Sequence, residues 1–352
     1  MADIGVGVAG YGNAGRYWHA TLIHHTPGLE LRAVFSRSEE RRSQAVRELG
    51  VSAYSTYAAL LADPTVELVV VATPHDTHAR LAIAAIEAGK HVVVEKIMCL
   101  SVAEGNAMIA ASRRSGTVLS IFQCRRWDSD FLTVRSVLDD GLLGDIYAVE
   151  SCVTSYTSPK STVAPRPWRS YAAHGGGPLR DWGAHLLDQA VVLFGASPQA
   201  VFADCQYRQP EWDVETAAQV WMRYRNGVRF SIEMGAISAI AKPRWYIRGS
   251  RGALIQYGRD PQQQALLRRD VGPRPLDPAD IPRVILADEG KQREVFPPVT
   301  PGNYPAFYAN VREAVHGRAP LEVQPEDVLS SVRLIEAAAA AARRGSVVSP
   351  SP

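Results

Sequence analysis

Gly10-Tyr11-Gly12-Asn13-Ala14-Gly15 follows an apolar run, Ile4–Ala9, and opens a segment with helical spacing, Ala14–His25. A GxGxxG in that strand–turn–helix setting limits what the chain can fold into more than any other feature. Gly10 allows the tight turn, Gly12 lets backbone approach a pyrophosphate, and Gly15 lets helix and strand pack closely. Asn13 and Ala14 stand at the helix start, where free N–H groups and the positive dipole end face an anion.

The pattern continues through the first third. Apolar runs Leu31–Phe35, Leu68–Ala72, His91–Val94 and Val118–Phe122 alternate with helical spacing over Ser38–Leu49, Tyr57–Leu61, His78–Ala88 and Val102–Ser115. Such alternation predicts a parallel sheet covered on both faces. Later segments read as an antiparallel sheet with one covered face: Ile146–Tyr156, Pro198–Tyr207, Thr216–Tyr224, Val228–Met234 and Arg244–Arg248, with a hairpin signal at Asn226-Gly227. A helix over Trp182–Phe194 interrupts them. Val271–Ile281 reads as a loop, Pro325–Arg344 as an Ala-rich helix and Ser346–Pro352 as a frayed tail.

At 352 residues the chain suits two domains. A net charge of +2, with Lys and Arg scattered, gives no reason to expect nucleic acid or a membrane surface. Cys99, Cys124, Cys152 and Cys205 lack paired spacing and read as thiols in a reducing compartment. Without a leader before Ile4 or an apolar run of membrane length, a cytoplasmic protein is expected.

The second apolar run ends in Ser36-Arg37-Ser38, without the carboxylate that would hold a ribose 2′-hydroxyl. The two serines can hydrogen-bond a 2′-phosphate and Arg37 can pair with it, which predicts NADP rather than NAD. Arg41 and Arg42 add positive charge one turn on, although a solvated helix face accounts for at least one of them. Glu95-Lys96 follows an apolar strand directly, where ligands of open α/β sheets bind. Asp181 and His185, after Gly175-Gly176-Gly177, fall four apart and share a helix face with Asp188. His185 suits the proton acceptor of a hydride transfer from an alcohol. Asp181 could orient it or bind a neighbouring hydroxyl, and Lys96 could bind the reacting oxygen. An isolated Asp/His pair is more often ordinary surface. Beside a dinucleotide turn and a strand-end lysine it reads as chemistry on a small polyhydroxylated substrate. Trp168 and Arg169 could touch cofactor or substrate, and His19, His174 and Tyr304 could reach the pocket. No metal is expected, because His19, His24 and His25 have no further ligands in view.

The nucleotide turn, Glu95-Lys96 and the GGGxLxDxGxHxxD stretch from Gly175 together resemble the Gfo/Idh/MocA oxidoreductases, most of all NADP-dependent scyllo-inositol 2-dehydrogenases. Cys124–Thr133, Pro165–Arg169, Pro243–Gly249 and Gly302-Asn303-Tyr304 support the resemblance. It implies an N-terminal Rossmann doubly wound parallel sheet and a C-terminal α+β domain with an open, mainly antiparallel sheet, used to form a homodimer or homotetramer. The corresponding expectation is an NADP domain over 1–122, a substrate and oligomerisation domain over 123–345, and a flexible tail over 346–352. The resemblance also implies Lys96, Asp181 and His185 as the catalytic trio. Thr73-Pro74, His78 and Arg125 then lie on the cofactor side. Two positions depart from the family: Ile97 replaces a proline that commonly follows through a cis bond, and Cys124 replaces an asparagine. Without proline, Lys96–Ile97 is expected to be trans. Non-catalytic dinucleotide-binding regulators share this fold, but keeping all three of Lys96, Asp181 and His185 argues against that alternative. Reductases of non-sugar carbonyls, such as biliverdin reductases, lack the Asp/His motif.

Overall fold

A computed structural model describes residues 3–156, 167–195, 197–288 and 290–350. Pro165 and Arg166, quoted for the resemblance, lie outside them, as does the end of the expected tail. The chain divides into two compact units, and both are discontinuous. The first comprises residues 1–127, 262–273 and 303–329; the second comprises 128–261, 274–302 and 330–352. A single boundary at residue 122 therefore leaves out two late segments that belong to the first unit. Local periodicity shows that a helix forms, not which core it joins.

The first unit is built on six parallel strands: β1 (Ile4–Ala9), β2 (Leu29–Phe35), β3 (Ser52–Tyr54), β4 (Leu68–Val71), β5 (His91–Val94) and β6 (Leu119–Ile121). They lie in the order β3-β2-β1-β4-β5-β6. Every residue of β1 and β4 is buried, as a sheet covered on both faces requires. β3 is too short and too exposed to leave an apolar run in the sequence. The first helix winds as a π-turn over Ala14–His19 and continues as α over Ala20–His24. Ser38, Thr56 and Ser101 cap three of the next four α-helices, each accepting a backbone N–H at 3.2–3.3 Å.

One contact ties a late segment into this unit. The Glu48 carboxylate accepts from Arg16 (Nε, 2.9 Å), the Tyr11 hydroxyl (3.1 Å) and Arg269 (2.5 Å). The Arg16 hydrogen bond outweighs the opposing effect of burial, and with Arg269 and Tyr11 it holds Glu48 down to about 2.

The second unit carries an eight-stranded sheet: β7 (Ile146–Thr154), β8 (Ala200–Gln206), β9 (Ala217–Arg223), β10 (Arg229–Gly235), β11 (Trp245–Gly249), β12 (Gly252–Gln256), β13 (Arg283–Asp288) and β14 (Lys291–Val295). The order is β14-β13-β12-β11-β7-β10-β9-β8, antiparallel except where β10 runs parallel to β7. Gly227 takes a left-handed φ of 85° in the β9–β10 hairpin, where Tyr224 N donates to Val228 O at 2.9 Å. Val348, in the segment read as a frayed tail, exchanges two 2.8 Å hydrogen bonds with Val201. As an end strand of the sheet, β8 has free backbone groups to offer it.

The Gly183–Phe194 helix is buried along most of its length. Beneath it lies Arg244, 4% exposed at the side chain. It pairs with Asp130 at 3.0 Å, donates to Gln189 at 2.8 Å and also bonds Ser151. Asp130 also accepts from the Trp245 indole at 2.8 Å. Removing one partner of a buried ion pair leaves an uncompensated charge.

Arg244→Leu should therefore destabilise the second unit by about 3–5 kcal/mol, read from urea unfolding; an unchanged midpoint would refute this. Glu48 has a lowered value in the fold, so its stabilisation is present above about pH 4.5 and is lost as pH falls toward about 2. The gap in melting temperature between wild type and Glu48→Gln should narrow over that interval. A gap that stays constant would show that Glu48 is not the group responsible.

Candidate active site

The phosphate turn depends on two enforced glycines and one open one. A Cβ at Gly10, whose φ is 102°, would collide with the Ala72 carbonyl, and a Cβ at Gly15 would collide with the Gly10 carbonyl. At Gly12 the nearest atom to a Cβ would be Nη1 of Arg41, 3.9 Å away. The fold itself demands the outer pair. The middle glycine faces room, a cradle suited to a diphosphate.

At the end of β2, Ser36 is buried and its hydroxyl accepts from Ser38 N at 3.3 Å. Arg42 donates to the carbonyls of Ser36 (2.8 Å) and Arg37 (3.0 Å), so its guanidinium holds the turn itself. Arg37 and Arg41 are exposed. Two serines, two exposed guanidinium groups and a capped helix start fit a 2′-phosphate.

Farther along the sheet, the Thr73 and Thr77 hydroxyls lie 2.6 Å apart beside Pro74. The His78 ring faces the carbonyls of Ile97 (Nδ1, 2.7 Å) and Thr73 (Nε2, 2.9 Å). Burial lowers the His78 pKa. The Lys96–Ile97 bond is cis, correcting the trans expectation. Ile97 is buried and its carbonyl is held by His78, so tertiary contacts decide this bond against the local preference.

Glu95 follows β5. Its Oε2 accepts from Lys96 N at 3.0 Å, and its Oε1 lies 3.1 Å from His19 Nε2. His19 Nδ1 lies 2.6 Å from the Tyr308 hydroxyl. Burial alone would raise the Glu95 carboxyl. The hydrogen bond from His19 and the charge of Lys96 reverse this and hold it below the ordinary value. Arg125 is buried and donates to Gln263 (2.5 Å) and to Tyr304 (3.5 Å). Tyr304 is itself buried and stacked on Trp18.

In the second unit, glycines again mark close approach. A Cβ at Gly176 would strike the Arg169 carbonyl, and one at Gly177 would strike the Glu215 carboxylate. Glu215 accepts from Leu179 N at 2.8 Å, holding the start of the Pro178–Asp181 helix; burial raises its pKa. Trp182 keeps right-handed helical angles, φ −78° and ψ −35°, so Asp181 and His185 remain one turn apart. Asp181 accepts from Arg169 at 2.8 Å, and that guanidinium lies 4.3 Å over the Trp168 ring. His185 is buried, its ring 5.9 Å from Trp182. A cavity of about 660 Å³ is lined by Asp181, Arg169, Trp182, Trp212, Glu215 and Arg259 among others.

Lys96, Glu95, Thr73, Pro74, His78, Arg125 and Tyr304 thus belong to the first unit, and Trp168, Arg169, Asp181 and His185 to the second. Sequence reasoning missed Tyr308 and Glu215. It left His19 as a residue that could meet substrate, although both its ring nitrogens are engaged. Spacing gave one signal: His19, four residues past Gly15, lies one helical turn beyond the residue packed on the strand. Among the described residues, no group of three or more His, Cys, Asp or Glu forms a metal site, and no helix is long and apolar enough to cross a membrane.

Comparison with known proteins bears on the same features. The family described as "Oxidoreductase family, NAD-binding Rossmann fold" matches residues 4–123, and the "GFO/IDH/MocA C-terminal domain" matches residues 131–255. The chain is 37% identical to the uncharacterized oxidoreductase YdgJ of Escherichia coli K12, over 96% of each chain. It is 32% identical to scyllo-inositol 2-dehydrogenase (NADP(+)) IolW of Bacillus subtilis 168, over 95% of this chain and 92% of that one. The structure of putative oxidoreductase yvaA from Bacillus subtilis superposes with a TM-score of 0.92 at 27% identity, covering 99% of this chain and 98% of that one. With the parallel sheet and most of the eight-stranded sheet matched, and relatives aligned along nearly the whole length, the chain belongs to the Gfo/Idh/MocA family of oxidoreductases, dehydrogenases that act on CH–OH groups.

Proposed function

We propose that the chain is an NADP-dependent oxidoreductase that moves a hydride between the nicotinamide and a secondary alcohol or ketone of a cyclitol or sugar. The observation that carries this reading is the Asp181/His185 pair on one helical turn, with Asp181 in the wall of a roomy cavity that Arg169, Glu215 and Arg259 also line. The nicotinamide, when bound, supplies the hydride acceptor or donor. His185 takes the hydroxyl proton as the alcohol is oxidised and returns it in the reverse direction. Asp181 orients the imidazole or accepts from a neighbouring hydroxyl. Lys96 donates to the reacting oxygen and stabilises the charge that develops there. Trp168 and Tyr304 are assigned to substrate contact. Thr73, Pro74, His78, Glu95, Arg125, Trp168 and Arg169 are assigned to the cofactor side.

NADP over NAD is supported by the exposed Arg37 beside Ser36 and Ser38, with no carboxylate at the end of β2. The relative IolW, a scyllo-inositol 2-dehydrogenase (NADP(+)), points the same way. We assign cofactor binding to the 1–122 region and substrate binding to 123–345. The outer face of the eight-stranded sheet is assigned to a homodimer or homotetramer contact, and the cytoplasm is the proposed location.

The test is a panel of inositols and aldoses with NADP, followed by absorbance of the reduced cofactor. Turnover of a cyclitol or sugar is expected; tight NADP binding without any turnover would overturn the reading. His185→Ala should lower kcat by about 10²–10⁴-fold and leave NADP affinity nearly unchanged, as measured by fluorescence titration. A large loss of NADP binding would sink the assigned role. Arg37→Ala should weaken NADP by roughly 10–100-fold and NAD far less. Equal losses would refute the 2′-phosphate assignment.

A further inference from the structure

Behind Lys96 lies a buried polar chain drawn from three separated stretches of the first unit. Tyr308, on the Pro305–Val315 helix, and His19, on the first helix, are both fully buried. Phe122 packs against the imidazole at 4.5 Å between ring centres, and Phe307 and Tyr308 extend the apolar wall. The chain runs Tyr308 hydroxyl, His19 Nδ1 at 2.6 Å, His19 Nε2, Glu95 Oε1 at 3.1 Å; Glu95 Oε2 then accepts from Lys96 N.

The direction of this chain follows from proton inventory. Burial drives the Tyr308 phenol well above its ordinary value, so it keeps its proton. A buried hydroxyl proton needs an acceptor, and Nδ1 is placed to be one. Nδ1 is then the bare nitrogen, and Nε2 carries the hydrogen and donates to Glu95. The carboxylate receives one donor on each oxygen, which favours its charged form although it is only 13% exposed. The titratable and charged groups around it are His19, Lys96 and His78, with Tyr308 reaching it through His19. His78 directs both ring nitrogens at carbonyls instead.

We propose that Tyr308 and His19 are positioning residues that lock Glu95 as a fixed anion, and that this anion keeps Lys96 protonated as the donor to the substrate oxygen. The proposal rests on the dehydrogenase reading for the substrate oxygen alone; the charge relation between Glu95 and Lys96 stands without it. It also gives an invisible role to a tyrosine nearly three hundred positions from its histidine, |i−j| being 289.

The chain has five lysines, so ¹³C-lysine labelling gives a readable spectrum in which Lys96→Arg assigns the signal. In the full-length protein, Lys96 should titrate about one pH unit lower in Glu95→Gln and Tyr308→Phe than in wild type, with the other lysines unmoved. The basic limb of the kcat/KM profile should shift down with it, and in Tyr308→Phe NADPH affinity should hold. ¹⁵N spectra of wild type should show His19 with its proton on Nε2. Lys96 titrating at the same pH in both variants, or His19 carrying its proton on Nδ1 alone, would overturn the proposal. Absence of turnover in the wild type would overturn the dehydrogenase reading instead, because the lysine titration is read without substrate.

Discussion

The first helix can lie against β1 only because Gly15 has no side chain to hold it off the Gly10 carbonyl. That approach decides more than the phosphate turn. It brings His19, one turn on, far enough inward to be fully buried and to reach Glu95 at the end of β5. A helix held farther out by one methyl group would present the same histidine to other neighbours. The nucleotide turn and the setting of the strand-end lysine therefore share one cause. It is steric, and it acts at Gly15.

The second unit solves a similar problem with charge. The helix bearing His185 is packed over Arg244, whose guanidinium is balanced by Asp130 and further bonded to Gln189 of that helix. Its leading turn is held by Glu215, which takes the Leu179 N–H and fills the space a side chain at Gly177 would need. Buried ionic groups are costly unless every partner is present. Here Arg244 bonds that helix directly through Gln189.

Much of this was legible in the sequence, for identifiable reasons. GxGxxG, the apolar strands and the Asp181/His185 spacing are local patterns, and each appears where periodicity places it. β12, β13 and β14 were not read: β12 follows β11 across a two-residue turn, and β14 is charged and exposed along most of its length. The geometry at Ile97 was misread because peptide preference is local, whereas the His78 contact to its carbonyl comes from another helix. Tyr308 gave no signal because its partner is far away in sequence. Buried polar pairs across such separations leave no periodic trace.

The interleaving of the two units also governs the order in which the protein can be completed. The first unit takes its last segment from residues 303–329 of a 352-residue chain. A ribosome that has delivered the whole parallel sheet has not yet delivered Arg269, Gln263 or Tyr308, which are needed to satisfy Glu48, Arg125 and His19. Until then the nascent nucleotide-binding unit carries buried polar groups short of their partners. The first unit is thus finished only after most of the second has been made, and a fragment ended after β6 would be an unfinished domain rather than an independent one.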